Sequence, residues 1–481
     1  MTRLLALALV ASLFSIAASA QVAAADPAYA GTPAVLADAA EAGDSVATDA
    51  VTGDTPPEAD NPLVQFPNQR PPDFRGLTTF EAPKTDSRLR GTTPELRLGG
   101  AFAQQFQNLT HSNTADPVLD ASGANTNELA NIGAGFNLAT ANLNVNALLA
   151  DGVQVNLETY LSSRHHQETW VKGGYLQVDG ARWLGSPAID KVFEYVTVKL
   201  GHMEINYGDA HFRRSDNGNA FYNPFIENNI LDAFTTEIGG EVYVRSGGAL
   251  AMVGVTNGEI KGDITNPDGR SYSVYTKLGL DRQVTDDLRL RLTGSTYHNG
   301  NAGRNTLYGG DRTGSRYYLV MGNGTDTASP HTSGRFNPGF TESVTSVMVN
   351  PFVKFGGLEL FGTYEYTTGF AAGESEDVGR AWTQVAGDAL YRFLPREQAY
   401  LGVRYNRASG ELSGARVNGA ITTAGDAVSI DRYEVAGGWF PTRNLLLKVA
   451  YVDQRYQDFP SASIFSGGEF NGFMVEGTLT F

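Results

Sequence analysis

The chain contains no cysteine among its 481 residues, which excludes a disulfide framework and a lipid-acceptor thiol. After the N-terminal segment it also lacks an apolar run of the roughly 20 residues that a membrane-spanning helix needs. Basic residues are few relative to acidic ones, at 36 against 52, and the formal net charge is −16. A phosphate-binding surface usually gives a basic domain, so this balance argues against a nucleic-acid partner.

The first 20 residues have the pattern of a secretory signal peptide. Arg3 precedes an apolar run over 4–16, and small residues at 18–20 precede a cleavage site. The run is too short for a spanning anchor. We therefore expect residues 1–20 to be removed on export.

Residues 21–94 are rich in alanine, aspartate, threonine and proline. A segment of this composition buries too little apolar surface to offset the entropy of ordering its chain. We expect a flexible periplasmic arm over 21–94, followed by a folded domain over 95–481.

From residue 95 onward, segments of membrane-strand length alternate between apolar and polar residues. In the last one, Phe473, Val475, Gly477, Leu479 and Phe481 share one face of a strand. Sixteen predicted strands lie at 95–107, 131–147, 153–163, 169–179, 195–205, 236–246, 249–257, 271–281, 286–297, 343–355, 358–368, 381–394, 398–408, 428–440, 444–456 and 470–481. This even number predicts an all-β fold, a closed transmembrane antiparallel β-barrel of about 16 strands without an unpaired edge in lipid.

The predicted connections alternate between short turns such as 151–152 and long polar loops such as 298–342. Bacterial barrels place short turns on the periplasmic rim and long loops outside. Two connections, 164–168 and 180–194, break the alternation and leave the strand bounds open there. The pattern predicts a protein of the Gram-negative outer membrane, surrounded by membrane lipids and lipopolysaccharide.

The more apolar face of each strand is expected to contact lipid, and the other face the lumen. Interfacial girdles are expected from aromatic residues near strand ends, namely Tyr160, Trp170, Tyr195, Trp382, Tyr391, Tyr400, Trp439, Phe440 and Tyr451. The basic residues predicted to line the lumen are Arg97, Lys199, Arg245, Lys277, Arg289, Arg291, Lys354, Arg392, Arg404, Arg432 and Lys448. The acidic residues on the same face are Glu158, Glu237, Glu241, Glu359, Glu365, Asp388, Glu434 and Glu476.

So many inward charges predict a polar, water-filled pore, because a charge facing lipid at the bilayer midplane costs about 2–4 kcal/mol. Two interpretations stay open. Opposite charges pair across strands, or the cations line a path for anions.

The third long loop, 206–235, is predicted to fold into the lumen, because wall side chains there can supply partners for its backbone groups. Its residues Arg213 and Arg214, with His211, are expected to form a pore constriction. Guanidinium groups at such a point bind carboxylate or phosphate in bidentate fashion. The alternative is that Arg213 pairs with Asp209 or Asp216 and holds the loop in shape.

Three segments carry a family resemblance: Gly-Tyr-Leu-Gln-Val at 174–178, the strand-to-loop segment 198–208, and Glu-Ile-Gly-Gly-Glu at 237–241. In this order they resemble the phosphate-selective-type (O/P-type) bacterial outer-membrane porin family. His-Met-Glu at 202–204 stands where that family has an aromatic residue and a lysine. The resemblance implies a sixteen-stranded diffusion channel that is a homotrimer, with basic residues in its constriction.

Neither an enzyme nor a cofactor is predicted. The adjacent His165 and His166 would face opposite sides of a strand and could share a metal ion only in a loop. We predict that they lie in a loop, as polar surface residues, and we predict no metal site. His211, Ser215 and Asp216 have the residue types of a hydrolase but no nucleophile-elbow pattern.

Two functions remain. The first is an outer-membrane porin with a water-filled channel for small hydrophilic solutes, with a preference for anions or phosphate left open. The alternative is a surface-exposed adhesion or ligand-binding barrel without transport, which the long loop 298–342 favours.

Overall fold

The computed structural model describes residues 66–161, 169–260, 271–309, 314–324, 333–417 and 419–481. Residues Pro62–Phe481 belong to one compact unit. The expected signal peptide, the first part of the expected arm at 21–65, and the histidines at 165 and 166 lie outside the described residues.

Sixteen long strands form one closed antiparallel barrel, which confirms the predicted fold. The strands are β1 (Glu95–Ser112), β2 (Gly135–Phe136), β3 (Thr140–Ala150), β4 (Val153–Leu161), β5 (Thr169–Val178), β6 (Val196–Glu204), β7 (Thr236–Ser246), β8 (Ala249–Thr256), β9 (Ser273–Gln283), β10 (Leu288–Asn299), β11 (Ser343–Phe355), β12 (Leu358–Phe370), β13 (Arg380–Phe393), β14 (Ala399–Ser413), β15 (Ala424–Thr442), β16 (Leu445–Gln457) and β17 (Glu469–Thr480). Each long strand pairs with the next, β17 pairs with β1, and the two-residue β2 lies beside β1. The ring therefore has no open edge.

The helices are short and lie in the connections. They are α1 (Pro187–Phe193) and 3-10 turns at Phe74–Gly76, Arg182–Leu184, Ala210–Arg213 and Glu376–Val378. No helix in the described ranges is long and apolar enough to cross a membrane. Helix α1 explains why the connection at 180–194 is longer than its neighbours on the short-turn rim.

The two faces of the strands differ as expected. Phe473 on β17 and Phe481 directly after it are each 55% exposed, whereas Met474 and Glu476 on β17 are fully buried. The apolar outer face suits lipid and the inner face is polar.

The aromatic girdle was predicted only in part. Tyr195, Tyr391, Trp439 and Tyr451 are exposed on the outer face. The prediction is wrong for four residues that are buried inside the barrel, namely Tyr160, Trp382, Tyr400 and Phe440. They lie on lumen-facing positions and pack against inserted loops. The side chain of Trp170 lies outside the described part of the chain.

Three segments fill much of the lumen. The loop 205–235, between β6 and β7, folds inward as predicted, with Phe221, Phe225 and Ile230 fully buried. The described parts of the loop 300–342 also pack inside, where the Phe336 ring stacks on Trp382 at 4.5 Å between centroids. The third segment is the end of the expected arm.

Residues 66–94 differ from the expected flexible arm because several of their side chains are anchored in the barrel. Phe80 is 3% exposed and packs edge-on against Phe352, with 5.2 Å between ring centroids. The next residue, Glu81, forms ion pairs with Lys277 and Arg291 on the wall. Ordering this segment costs conformational entropy, which the composition of residues 21–94 as a whole could not offset. The buried Phe80 ring and the ion pairs of Glu81 are the local contacts that offset it.

Candidate functional site

The loop 205–235 crosses the lumen because wall side chains bind its backbone. Lys448, on β16, donates hydrogen bonds to the carbonyl oxygens of Ala220, Asn223 and Phe225 at 2.9, 3.0 and 2.9 Å. Arg404, on β14, donates to the Glu227 carbonyl oxygen at 3.0 Å. These donors supply the partners that buried loop carbonyls need.

Arg213 and Arg214, the predicted constriction pair, are both buried in ion pairs. The Arg213 guanidinium lies 2.5 Å from Glu359 on β12, and Arg214 lies 2.6 Å from Asp232 in its own loop. Arg213 therefore does not pair with Asp209 or Asp216 of its own loop: Asp209 is held by Lys277 and Arg291, and Asp216 by Lys172 and Arg214. Both arginines hold the loop in place.

Most of the other inward cations are paired in the same way. Six of them, on β9 to β16, are buried against carboxylates, amides or loop carbonyls: Lys277, Arg291, Arg392, Arg404, Arg432 and Lys448. Four lie toward the short-turn rim and contact the arm or a turn: Arg97, Arg245, Arg289 and Lys354. Opposite charges pair across neighbouring strands, as one of the two interpretations expected, at Arg392, Arg404 and Lys448.

Lys199 is the remaining predicted cation, and it faces open space. It lines a cavity of about 340 Å³ between the wall of β3 to β7, the loop 205–235 and the arm. Its side chain is 25% exposed and lies 4.0 Å from Glu241. The aromatic rings of Tyr175 and Tyr243 lie 5.3 and 5.1 Å from its ammonium group. A partly exposed charge of this kind is available to a solute.

One end of the cavity is closed by a cluster of charges, which we call the eyelet cluster: Glu158, Lys172, Glu204, His211, Arg214 and Asp216. Lys172 lies 3.1 Å from Glu158 and 3.3 Å from Glu204, and it also contacts Asp216 of the loop. Arg214 lies 3.5 Å from Asp216. The cluster therefore joins the loop 205–235 to the barrel wall at this end of the cavity. Both the wall and the loop contribute acidic and basic side chains to it.

His211, which the sequence predicts for a pore constriction, belongs to this cluster. Its Nδ1 lies 2.5 Å from Glu204 and its Nε2 lies 2.9 Å from Asn206. Burial lowers the pKa of His211 below its ordinary value of 6.5, in spite of the opposing effect of Glu204. Both ring nitrogens face acceptor oxygens, which fixes the orientation of the imidazole in the cluster.

The residue types of a hydrolase do not come together in the loop. His211 contacts Glu204 and Asn206, whereas the Ser215 hydroxyl donates to the Ile226 carbonyl oxygen at 2.9 Å. Across the described ranges, no group of three or more histidine and acidic side chains is placed to hold a metal ion.

The arm forms the side of the cavity toward the short-turn rim. Arg70 donates to the Phe212 carbonyl oxygen at 2.8 Å and lies 3.6 Å above the Tyr222 ring. Burial lowers the pKa of Arg70 to about 10, which keeps it charged at pH 7. Burial alone would raise the pKa of Glu81, but Lys277 and Arg291 hold it well below its ordinary range.

The sequence analysis missed Lys172 because of a β-bulge. Strict alternation from Tyr175 and Gln177 would place Lys172 on the lipid face. A register shift between β4 and β5, at Glu158 and Thr159, adds one residue and turns Lys172 into the lumen. Gly173 opposite Glu158 is the only local signal for such a bulge.

No family model matches the chain, and no curated protein matches it. Among solved structures, an anion-selective porin from Comamonas acidovorans has 10% identity and a TM-score of 0.46, covering 81% of this chain and 100% of its own. The outer-membrane channel DcaP of Acinetobacter baumannii has 10% identity and a TM-score of 0.46, covering 82% and 100%. Outer-membrane expressed OmpT of Vibrio cholerae has 10% identity and a TM-score of 0.45, covering 82% and 100%.

The strand pairing itself establishes a closed antiparallel barrel of sixteen long strands. Membership of the O/P-type family stays a prediction.

Proposed function

We propose that this protein is an outer-membrane porin whose solute passage runs along the wall of β3 to β7. The observation that carries the proposal is the cavity of about 340 Å³, which lies inside a closed barrel and is lined by partly exposed charges. Charged side chains facing a cavity in a membrane barrel are the lining of an aqueous path. The eyelet cluster is the narrow point of that path.

The opposite side of the lumen supports this route, because it is packed. Fully buried aromatic and ionic side chains of β10 to β16 contact the inserted loops there. Closely packed side chains leave little space for a hydrated solute. Solutes are therefore expected to pass on the β3 to β7 side.

The adhesion alternative has less support. It was motivated by the length of the loop 298–342, but the described parts of that loop are turned inward. Leu307 and Tyr317 are at most 1% exposed, and Tyr317 donates a hydrogen bond to Glu434 of the wall at 2.7 Å. A loop whose side chains are buried inside the barrel offers less surface to an external partner.

An anion or phosphate preference is a finer proposal. It is supported by Lys199 and Arg245, which line the cavity, and opposed by Glu158 and Glu204, whose side chains are 27% and 26% exposed. Because both acidic and basic side chains face the passage, we expect a weak anion preference and no dedicated phosphate site.

The homotrimer implied by the family resemblance is likewise a proposal, to be tested by light scattering of the purified protein in detergent.

The proposal is tested by bilayer conductance of the purified full chain. Discrete current steps are the expected result. A preparation that is folded, as judged by circular dichroism, but gives no steps and no solute entry into liposomes would overturn it. The reversal potential in a salt gradient then gives the sign of the ion preference.

A further inference from the structure

The cavity on the β3 to β7 side carries its exposed charges at opposite ends. Lys199 and Arg245 lie toward the short-turn rim, and Glu158 and Glu204 lie toward the loop 205–235. Glu204 is five residues beyond Lys199 on β6, which corresponds to about 16 Å along the strand. The cavity therefore has a positive and a negative end.

The two ends keep part of their charge. At the negative end Lys172 is shared between three carboxylates, those of Glu158, Glu204 and Asp216. At the positive end Lys199 lies 4.0 Å from the buried Glu241, and Arg245 contacts only neutral groups among its recorded partners, the Ala82 carbonyl oxygen and, at 3.0 Å, the Thr197 hydroxyl. Opposite potentials at the two ends favour a solute that carries both charges.

A belt of amide side chains lies between the ends. The strand register places Asn146 and Asn156 level with Tyr175, between Lys199 and Glu158. Asn156 is 7% exposed, and its Nδ2 has no hydrogen-bond partner in the described part of the chain. Asn144 lies opposite Glu158, at the level of the eyelet cluster, and its Oδ1 also has no hydrogen-bond partner in the described part of the chain. A buried unpaired donor and acceptor cost free energy unless a ligand or water satisfies them.

We propose that this cavity binds short zwitterionic peptides, with the ammonium group at Glu158 and Glu204, the peptide groups at the asparagine belt, and the carboxylate at Lys199 and Arg245. This inference rests on the proposed porin function and names its solute class. An extended tripeptide spans about 10 Å, or roughly two thirds of the separation of the two ends along the strand. A single amino acid is too short to reach both ends, and a sugar would leave both charged ends unused.

The test uses trialanine and three blocked forms of it with the full-length protein in detergent, followed by calorimetry. N-acetyl-trialanine lacks the ammonium group, trialanine amide lacks the carboxylate, and N-acetyl-trialanine amide lacks both charges. We expect each single block to weaken binding about tenfold and the double block to weaken it further. Equal affinities for all four compounds would overturn the inference.

Two variants assign the ends. Arg245→Gln should weaken trialanine binding about tenfold and leave trialanine amide unchanged, because the amide has no carboxylate to lose. Lys354→Gln is the matched control, since Lys354 pairs with Glu397 at the rim and does not line the cavity. If Arg245→Gln weakens all four compounds alike, the assignment of the carboxylate end is wrong.

Liposome swelling separates this inference from the proposed function. Entry of all four compounds at equal rates would support the porin and overturn the peptide preference. Entry of no solute, with trialanine binding intact in detergent, would overturn the porin and leave the binding site standing. Faster entry of trialanine than of its doubly blocked form supports both.

Discussion

The lumen has two sides that use the same residue types differently. On the β10 to β16 side, lysine and arginine side chains are buried against carboxylates and loop carbonyls, as at Lys448 with Glu476. On the β3 to β7 side, Lys199, Glu158 and Glu204 are each about a quarter exposed to a cavity. Both sets face inward, so strand alternation cannot separate them. The inserted loops decide which charges hold the fold and which can meet a solute.

The largest expected effect is on the packed side, at Lys448. Lys448→Met leaves the fully buried Glu476 and three loop carbonyls without their cation. Removing one partner of a buried pair costs about 3–5 kcal/mol in free energy of unfolding. Urea unfolding in detergent micelles, followed by tryptophan fluorescence, measures this loss.

The control for this prediction is Lys354→Met. Lys354 pairs with Glu397 at 2.7 Å, but the Glu397 side chain is 45% exposed. Exposed pairs contribute about 0–1 kcal/mol. Similar losses for the two variants would contradict the division of the lumen into a packed and an open side.

The second prediction concerns the arm. Deleting residues 66–90 should raise single-channel conductance severalfold, because Arg70, Glu81 and their neighbours form one wall of the cavity. Replacing the same residues by a glycine-serine segment of equal length should give an intermediate increase. An unchanged conductance for both would show that the arm does not narrow the passage.

Most of the fold could be predicted from the sequence, because a strand that lies between lipid and lumen must alternate along its whole length. The sixteen strands, which are an even number, and the inward loop 205–235 follow from that constraint. The bulge at Lys172 did not follow, since one added residue inverts the two faces without changing the composition.

The candidate site was harder to predict than the fold. Pairing partners such as Glu359 for Arg213 are 146 residues apart in the chain, and no local pattern links them. The arm was expected to be flexible along its whole length. Phe80 and Glu81 anchor it to the barrel wall, but two such residues do not stand out in a long segment of this composition. His211 was placed in the constriction, but on grounds of loop position alone.

The third prediction compares the ion preference of two double variants. Arg213→Ala with Arg214→Ala should shift the reversal potential only slightly toward cations, since both guanidinium groups are buried in pairs, although Arg214 belongs to the eyelet cluster. Glu158→Gln with Glu204→Gln should shift it toward anions, because these carboxylates are partly exposed to the passage. The reverse ranking would restore the arginine pair as the selectivity site.

The smallest expected effect is the pH dependence that His211 adds to stability. The burial of His211 lowers its pKa below 6.5, so between its folded-state pKa and 6.5 the unfolded chain binds more protons than the folded one. Stability should therefore fall as the pH drops from 7 toward 5, by about 1.4 kcal/mol for each unit by which the pKa is lowered. The groups whose charges act on His211 are Glu204, Lys277 and Asp209.

His211→Gln keeps a polar side chain but cannot bind a proton, so it should flatten the fall in urea stability over this pH range. The slope matters more than the absolute stability, because the variant also changes the contact with Glu204. A variant that keeps the full slope would show that His211 is not the group responsible. A flattened slope would identify His211 as the group whose protonation lowers the stability in this pH range.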